Sequence, residues 1–383
     1  CKSGEILIGR ELMQMLDIMA GYLENPDELF DTFRSEISFE TADAHKRIKF
    51  IEKECRHYEA PFAGEPFLLT LRQKAFLESF YSFKIFDEEV GRRVRLYQEY
   101  IMLIARKCGK TPLVAAKNLS EWFCGEAGTK ILCSSNDYEQ ADLMFQAIDA
   151  MREESRTLEK VTRRNIKGIY FGNPRQKKKK GKFSKQNKGS IRKISARAGS
   201  KEGRNIKVGS VDEIHELKDN TSIMPIRQAL STQDEPIFGE ITTEGFEQDG
   251  YLTKRLKDAR KVLKGELYRP RWLIWLHTQD SEEEIWQDES SWVKSNPDLG
   301  VIKKWSFLRQ MVEEAKDSSA TKAFVLAKDF NMPQSASAAW LPKSAIVNLE
   351  TFDLSDFAGA FYISGNDFAE TTDLCSSTIL LKK

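Results

Sequence analysis

The stretch YIMLIARKCGKTPLVAAKNLSEWFCG, residues 100–125, decides the fold. It opens with an apolar run of the kind that forms a buried strand, and it closes with a segment that suits a helix. Between them, Gly109, Lys110 and Thr111 form the GK[ST] end of a phosphate loop. In such a loop, backbone N–H groups surround the phosphates, the lysine reaches the β and γ oxygens, and the hydroxyl binds magnesium. Ile104 replaces the first glycine of the usual pattern. The sequence therefore predicts a nucleotide site here; the alternative is a surface turn with a solvated lysine.

A second motif, VGSVDEIHEL at residues 208–217, places two acids at the end of an apolar strand. A nucleotide hydrolase needs one carboxylate near the magnesium and another that polarises the attacking water. Asp212 and Glu213 suit these roles in that order. The alternative is a pair of acids at the start of a helix, where they favour the positive end of its dipole. His215 could sense hydrolysis, although a histidine after a strand is more often structural. Together with the phosphate loop, this motif favours an ATPase.

The rest of the chain predicts the layers around these two motifs. Further apolar strands are predicted at residues 129–135, 236–245 and 271–277, and a helix follows the first of them. Strands that alternate with helices predict an α/β fold with a mostly parallel sheet flanked by helices. Ahead of this sheet, residues 5–60 have helical periodicity, and so does PFLLTLRQKAFLESFYSF at residues 66–83.

Composition is that of an ordinary globular chain with no membrane signal. The 383 residues carry a net charge of +1, with 40% hydrophobic and 31% charged residues. The apolar runs are far shorter than the roughly 20 residues of a membrane helix. Six scattered cysteines form no CxxC pair, which favours a reduced, cytosolic setting. No secretory leader is predicted. Because the chain starts at Cys1 and ends in STILLKK, we expect a fragment of a longer protein.

The most basic part of the chain is residues 175–193, which hold ten Lys or Arg and no acid. Such a segment could grip DNA, because neutralising phosphates drives binding that is independent of sequence. Lysine-rich stretches with Gly, Ser and Asn are equally typical of a solvated loop. The candidate DNA contacts are Lys177, Lys178, Lys179 and Lys180.

Taken in order, the motifs resemble those of one family, the large terminase subunits of tailed bacteriophages. The likeness extends over residues 40–383. ARKCGKT resembles that family's deviant Walker A motif, and VDEIHEL resembles its Walker B motif. GEITTEG resembles its coupling motif, and DESSWVKSNPDLG its W-x-x-x-NP stretch. ISGNDFAETTDLCSSTILL resembles the first strand of its ribonuclease-H-like nuclease.

The resemblance implies roles for the residues of an ATPase site with ATP and Mg²⁺ as cofactors. Lys110, with Gly109 and Lys107, would hold the phosphates, Thr111 and Asp212 the magnesium, and Glu213 would be the catalytic carboxylate. Arg106 would stabilise charge on the γ-phosphate. The coupling residues, which would link hydrolysis to DNA movement, are Thr242 and Thr243.

Two assignments within the resemblance stay open. Gln73 is a candidate adenine contact, but the family commonly has Trp just before this glutamine and this chain has Arg72. An arginine that acts on a neighbouring subunit's nucleotide is expected between residues 192 and 204. Arg197 and Arg204 are both candidates for it.

For the nuclease, the resemblance implies that Asp367 is the first carboxylate that binds a divalent metal, Mg²⁺ or Mn²⁺. Because two-metal hydrolysis needs several converging acids, we expect this chain to lack nuclease activity even if the intact protein has it. The expected organisation is listed by residue range: a helical N-terminal region (1–65), a P-loop ATPase domain (66–270), a connector (271–355) and the incomplete start of the nuclease domain (356–383).

The function implied is an ATP-driven motor that moves double-stranded DNA into a procapsid. Its implied partners are the portal protein, the small terminase subunit and further copies of this chain in a ring. Its implied location is the cytoplasm of the infected or prophage-carrying host. Two alternatives remain: a helicase-like nucleic-acid translocase, and a nucleotide-binding structural subunit that does not hydrolyse ATP.

Overall fold

The computed structural model describes residues 6–136, 138–172, 189–195, 205–247, 249–334, 353–367 and 376–381. The strands are β1 (Ser38–Phe39), β2 (Phe83–Asp87), β3 (Arg92–Arg95), β4 (Glu99–Leu103), β5 (Lys130–Ser135), β6 (Thr162–Asn165), β7 (Gly168–Phe171), β8 (Ser190–Ser195), β9 (Val208–Asp212), β10 (Ile237–Thr242), β11 (Trp272–Leu276), β12 (Tyr362–Asp367) and β13 (Ser376–Leu381). The α-helices are α1 (Arg10–Glu24), α2 (Phe30–Phe33), α3 (Ala42–Glu54), α4 (Leu71–Ser82), α5 (Lys110–Cys124), α6 (Tyr138–Glu154), α7 (Arg156–Val161), α8 (Met224–Gln228), α9 (Tyr251–Leu263), α10 (Glu282–Gln287), α11 (Trp305–Asp317) and α12 (Ser319–Phe330).

An eight-stranded sheet dominates the chain, in the order β11-β4-β10-β9-β5-β8-β7-β6. The first six strands in that order run parallel, and β7 and β6 are antiparallel. The predicted mostly parallel α/β fold is therefore confirmed. In this order β10 lies between β4 and β9. The loops that follow these strands consequently emerge side by side at the carboxyl end of the sheet, where open α/β sheets bind their ligands.

The centre of the sheet is buried on both faces, which explains why its central strands read as unbroken apolar runs. All residues of β9, β10 and β11 are buried. Close packing inside the sheet requires one glycine in particular. A Cβ on Gly239 of β10 would lie 2.2 Å from the Tyr100 hydroxyl oxygen of β4, so a larger residue would displace the tyrosine. Helix α5 covers this part of the sheet with Leu113, Val114 and other buried side chains.

The N-terminal part of the chain differs in part from the helical expectation. Residues 5–60 contain α1, α2 and α3, but β1 interrupts them and pairs with β2 in a three-stranded antiparallel sheet completed by β3. Apolar side chains of α1 such as Leu12 and Met15 belong to the same core as the large sheet. The end of the basic stretch 175–193 also differs from a loop. Ser190 begins β8, which pairs in parallel with β5 and buries Ile191 and Ile194.

A smaller apolar core lies after β11, in what we call the helical subdomain (residues 281–332). It is built from α10, α11 and α12 around Trp292, Leu308 and Phe330. Residues 1–336 form one compact unit and residues 337–383 a second, which contains the hairpin β12-β13. The domain boundaries given above stay predictions. Across the described ranges, every helix is too short or too polar to cross a membrane.

Candidate active site

The predicted phosphate loop lies between β4 and α5, and its backbone is bent by residues in the left-handed region. Gly109 caps the start of α5 with a φ of 74°, and Lys107 has a φ of 62°. Left-handed backbone is unusual for a lysine, and such conformations concentrate at ligand sites. Ile104, which replaces the first glycine of the usual pattern, is buried and donates its backbone N–H to the Thr242 carbonyl at 3.2 Å. The loop is thereby attached to the end of β10.

The structure brings the phosphate loop and the acidic motif together, as the sequence predicted. The Thr111 hydroxyl donates to Asp212 Oδ2 at 3.0 Å, across the carboxyl end of β10. The Lys110 Nζ lies 3.1 Å from Glu213 Oε1. Lys110 and Asp212 are both buried, at 7% and 4% exposure, so these charges meet in a site largely removed from water. Electrostatic interactions are stronger there than at the surface.

The two acids have pKa values shifted in opposite directions. Burial and the neighbouring charge of Glu213 raise the pKa of Asp212. Burial acts in the same sense on Glu213, but the hydrogen bond from His215 and the charge of Lys110 outweigh it and lower its pKa. Adjacent acids with divergent pKa values are characteristic of functional sites. Glu213 is also held at a φ of 50°, a further strained position in the same loop.

The donor set suits a magnesium ion that is brought in with phosphate. Thr111 and Asp212 offer oxygen ligands close together, and Mg²⁺ prefers oxygen and keeps several waters or phosphate oxygens among its ligands. Within the ranges that the structure describes, no cluster of three or more His, Cys, Asp and Glu side chains could hold a metal. A magnesium here would thus draw most of its ligands from the nucleotide and from water.

His215 connects the acidic motif to the coupling motif, a contact that the sequence did not reveal. Its Nδ1 lies 3.1 Å from Glu213 Oε2 and 3.0 Å from the Thr242 hydroxyl oxygen. That hydroxyl also donates to the Thr243 carbonyl at 2.8 Å. Both threonines are fully buried at the end of β10. The carboxylate expected to act on water is therefore joined through one imidazole to the residues expected to transmit motion.

The candidate adenine contact, Gln73, lies beside the phosphate loop. It lines a small cavity together with Gly109 and Lys110. Its position is fixed by a capping box at the start of α4, in which Gln73 Oε1 accepts from the Thr70 backbone N–H at 3.0 Å. Arg72, which stands where the family commonly has Trp, donates to the Val293 carbonyl at 3.0 Å. Gln73 is thus placed by α4 next to the phosphate loop.

Arg106 is exposed, and it ties the phosphate loop to the helical subdomain. Its backbone N–H donates to the Lys328 carbonyl at 2.9 Å, and its guanidinium lies 5.8 Å from the centre of the Phe324 ring. A second tie runs through Asn296 of the W-x-x-x-NP stretch. The Asn296 amide accepts from Cys108 Sγ at 3.6 Å and donates to the Asp329 carbonyl at 2.7 Å. The sequence drew attention to this stretch but assigned Asn296 no role.

Several candidates cannot be placed at the site. Lys177, Lys178, Lys179, Lys180, Arg197 and Arg204 lie outside the described residues. Asp367 is the last residue of β12, where it pairs with Ser376 of β13. It belongs to the unit 337–383.

Comparison with known proteins identifies two family models that together match most of the chain. The model for "Terminase large subunit, ATPase domain" matches residues 73–261. The model for "Terminase large subunit, endonuclease domain" matches residues 271–383. The second match takes in residues 271–355 as well as 356–383. It gives no support to the expectation that this chain lacks nuclease activity.

Individual relatives agree with these models. The terminase large subunits of Lactococcus phages SK1 and p2 are each 24% identical to this chain over 292 residues, which is 74% of this chain and 51% of each relative. The chain thus spans about half the length of these two relatives. The crystal structure of the HK97 bacteriophage large terminase has a similar fold, with a TM-score of 0.62 at 20% identity. That match covers 88% of this chain and 64% of the HK97 chain.

Proposed function

This chain belongs to the family of terminase large subunits, and from that premise we propose that it hydrolyses ATP to drive double-stranded DNA into a procapsid. The observation that carries the proposal is the meeting of Lys110 with Glu213 and of Thr111 with Asp212 at one end of the sheet. Nucleotide hydrolysis by a phosphate loop requires this set of one cation, one hydroxyl and two carboxylates.

In the proposed reaction, each residue does what its position allows. Lys110, at the start of α5, binds the β- and γ-phosphates together with the backbone N–H groups of Lys107 and Gly109. Thr111 and Asp212 would hold a magnesium ion, which would supply neutralising charge to the phosphates. Glu213, whose lowered pKa keeps it ionised, accepts a hydrogen bond from the attacking water and orients it.

Two further residues complete the proposed nucleotide site. Arg106 stabilises the negative charge that develops on the γ-phosphate, a role for which a guanidinium group is well suited. Gln73 reads the adenine edge from the side of α4. The effect of hydrolysis is then transmitted to Thr242 and Thr243 by the imidazole of His215, because that ring contacts both Glu213 and Thr242.

The geometry of the same site bears on two rival functions. A structural subunit that only binds nucleotide has no need of Glu213, yet this residue is held in a strained backbone conformation and paired with Lys110. A helicase-like translocase shares the phosphate loop but separates the strands of a duplex. The proposed motor moves duplex DNA without unwinding it.

The test is ATP turnover by the purified chain, measured with and without duplex DNA. We expect turnover that duplex DNA stimulates and that Lys110→Ala abolishes. Lys130→Ala is the matched control. Lys130 is an exposed lysine at the amino end of β5, and the candidate site lies at the carboxyl ends of the parallel strands. Negligible turnover in the wild type and Lys110→Ala alike, with nucleotide still bound, would favour the structural subunit. Unwinding of a labelled duplex would favour the helicase.

We also propose that the intact protein cuts DNA in a metal-dependent reaction in which Asp367 is one metal ligand. The proposal is supported by the endonuclease-domain match over residues 271–383. Nicking of supercoiled plasmid with Mg²⁺ or Mn²⁺ should be lost in Asp367→Asn of the intact protein. It should persist in Asp356→Asn, a change in the same unit. Equal nicking by the two variants would remove Asp367 from the site.

The proposed partners and location follow from the proposed activity. A DNA-packaging motor acts on double-stranded DNA at the portal of a procapsid, with a small terminase subunit and with further copies of the large subunit in a ring. It does so in the cytoplasm of the bacterial host. Co-purification of the chain with portal-containing procapsids in the presence of ATP would test this assembly, and failure to bind them would contradict it.

A further inference from the structure

Lys328, near the end of α12, is a buried lysine without a direct ion pair among the described residues; its Nζ lies 5.3 Å from the centre of the Phe246 ring. It is 4% exposed, and its Nζ donates one hydrogen bond of 2.7 Å, to the Glu244 carbonyl. Among the described residues, no carboxylate oxygen lies within 4.0 Å of it. The neighbouring buried Lys303 differs, because its Nζ lies 2.5 Å from Asp329 Oδ1. A buried ammonium without an ion pair is destabilising, and one reason for its retention is a bound anion.

The position of Lys328 offers that reason, because the end of α12 touches the loops that follow three strands. The Lys328 carbonyl accepts from the Arg106 backbone N–H, in the phosphate loop after β4. Asn331 Oδ1 accepts from the Glu244 backbone N–H, after β10, and Asn331 Nδ2 donates to the His277 carbonyl, after β11. The ammonium thus lies between the phosphate loop and the coupling motif GEITTEG (residues 239–245), which we call the coupling segment.

Electrostatics around Lys328 indicate that this place is short of negative charge. Burial, and after it the positive charge of Arg106, lower the pKa of Lys328 to about 8, and Lys110 acts in the same sense. Glu213 and Glu244 oppose this effect. Glu213 is already paired with Lys110. Cations from the phosphate loop and from the helical subdomain therefore share one region, and a bound triphosphate would supply the missing negative charge.

We propose that Lys328 is a third cation of the nucleotide site, a positioning residue that distinguishes ATP from ADP. With ATP bound, its ammonium would hydrogen-bond the terminal phosphate in place of the Glu244 carbonyl; with ADP it would return to that carbonyl. Because the Glu244 carbonyl follows Thr242 and Thr243, the exchange would report the state of the nucleotide to the coupling segment. This inference rests on the proposed ATPase function and adds to it a contact delivered by the helical subdomain.

The test compares binding of a non-hydrolysable ATP analogue and of ADP, each with Mg²⁺, to wild type and Lys328→Met. We expect wild type to prefer the ATP analogue. In Lys328→Met that preference should fall roughly ten- to a hundredfold, the effect of one hydrogen bond to a charged group, while ADP affinity changes little. The thermal unfolding midpoint of nucleotide-free Lys328→Met should be no lower than that of wild type, because the variant lacks the unpaired buried charge.

Lys294→Met is the matched control. Lys294 belongs to the same helical subdomain, but its Nζ is paired with Asp280 at 2.8 Å and Glu284 at 2.5 Å. This variant should unfold at a lower temperature and keep the wild-type preference for the ATP analogue. A Lys328→Met preference within threefold of wild type would overturn the inference and leave the ATPase intact. Wild type that binds neither nucleotide would overturn the proposed function and with it this inference.

Discussion

Two buried lysines on the same helix show how differently one fold treats charge. Lys110 opens α5 and Lys117 lies two turns later, and both are almost wholly removed from water. Lys110 is paired with Glu213, an acid that the proposed reaction needs for water. Lys117 lies over the rings of Phe80 and Tyr100, with its Nζ at 5.6 Å and 5.0 Å from their centres.

The buried acid near Lys117 is neutralised by cations within the protein. Glu121, one turn along α5, is fully buried and lies 2.8 Å from the Arg47 guanidinium. The Tyr81 hydroxyl donates to the same carboxylate at 3.1 Å. Burial would raise the pKa of Glu121, but the surrounding cations, Arg47 first among them, lower it to about 2. We call Arg47, Tyr81, Lys117 and Glu121 the structural charge cluster.

The site around Lys110 lacks this internal balance. Its acids are adjacent in sequence and have pKa values that diverge, and its backbone holds Lys107, Gly109 and Glu213 at positive φ. Strain and divergent pKa values persist where a ligand makes use of them. The comparison therefore teaches that burial of charge is not itself a mark of function. The mark is a buried charge whose balance requires something from outside.

The strongest way to break this comparison is to remove Glu213. We expect Glu213→Gln to lower ATP turnover about 1000-fold, or about 4 kcal/mol, because a positioned carboxylate is lost from the attacking water. ATP affinity should stay within a few-fold, because Lys110 and Thr111 remain in place. Steady-state turnover and nucleotide titration measure the two quantities.

Glu216→Gln serves as the control for this variant, because Glu216 lies in the same short turn after β9. Its turnover should stay close to that of wild type. If Glu213→Gln retained more than a tenth of wild-type turnover, the catalytic role given to this carboxylate would be wrong.

The structural charge cluster should respond in the opposite manner. Glu121→Gln removes the buried carboxylate that pairs with Arg47 and leaves it only the half-exposed Asp43, so we expect a loss of about 3 kcal/mol in the free energy of unfolding. Turnover per folded molecule should be little changed. Urea unfolding of this variant is compared with that of Glu159→Gln, which alters an exposed acid of α7 and should cost less than about 1 kcal/mol. Equal losses in the two variants would show that the cluster does not stabilise the fold.

The two regions also differ in how far sequence could predict them. The strand, loop and helix of residues 100–125 were predictable because apolar periodicity and the GKT turn are local signals. Asp212 and Glu213 were predictable for the same reason. Because the strands are parallel, these acids and Lys110 follow strands that end on the same side of the sheet. The structural charge cluster was not predicted, because Arg47 and Glu121 are 74 positions apart in the sequence.

The contacts missed at the site have the same origin. His215 follows the acids directly, yet its link to Thr242 depends on the pairing of β9 with β10. Lys328 has no local signal, since it reaches the site only through the return of α12 to the phosphate loop. Strand β8 was hidden because two consecutive basic residues, Arg192 and Lys193, separate its buried Ile191 and Ile194. Local patterns identified the main residues of the candidate site, and long-range packing supplied the contacts between them and the rest of the fold.

The smallest expected effect is a difference in pH dependence that Lys117 alone should cause. Burial lowers the pKa of Lys117 from its ordinary 10.5 to about 7, although Glu121 acts against that shift. Between these two values the unfolded chain binds a proton that the folded chain does not. The contribution of Lys117 to stability therefore rises with pH in this window, and below pH 7 its cost is fully present.

Lys117→Met should remove this rise, because methionine does not titrate. From pH 7 to pH 9 the free energy of unfolding of wild type should increase by about 2 kcal/mol more than that of Lys117→Met, given about 1.4 kcal/mol for each pH unit over which the folded chain lacks the proton. Urea unfolding at the two pH values measures the difference, and Lys130→Met, at an exposed position, should follow wild type. Parallel pH profiles for wild type and Lys117→Met would mean that Lys117 stays charged inside the core. The structural charge cluster would then contain Lys117 as a full cation.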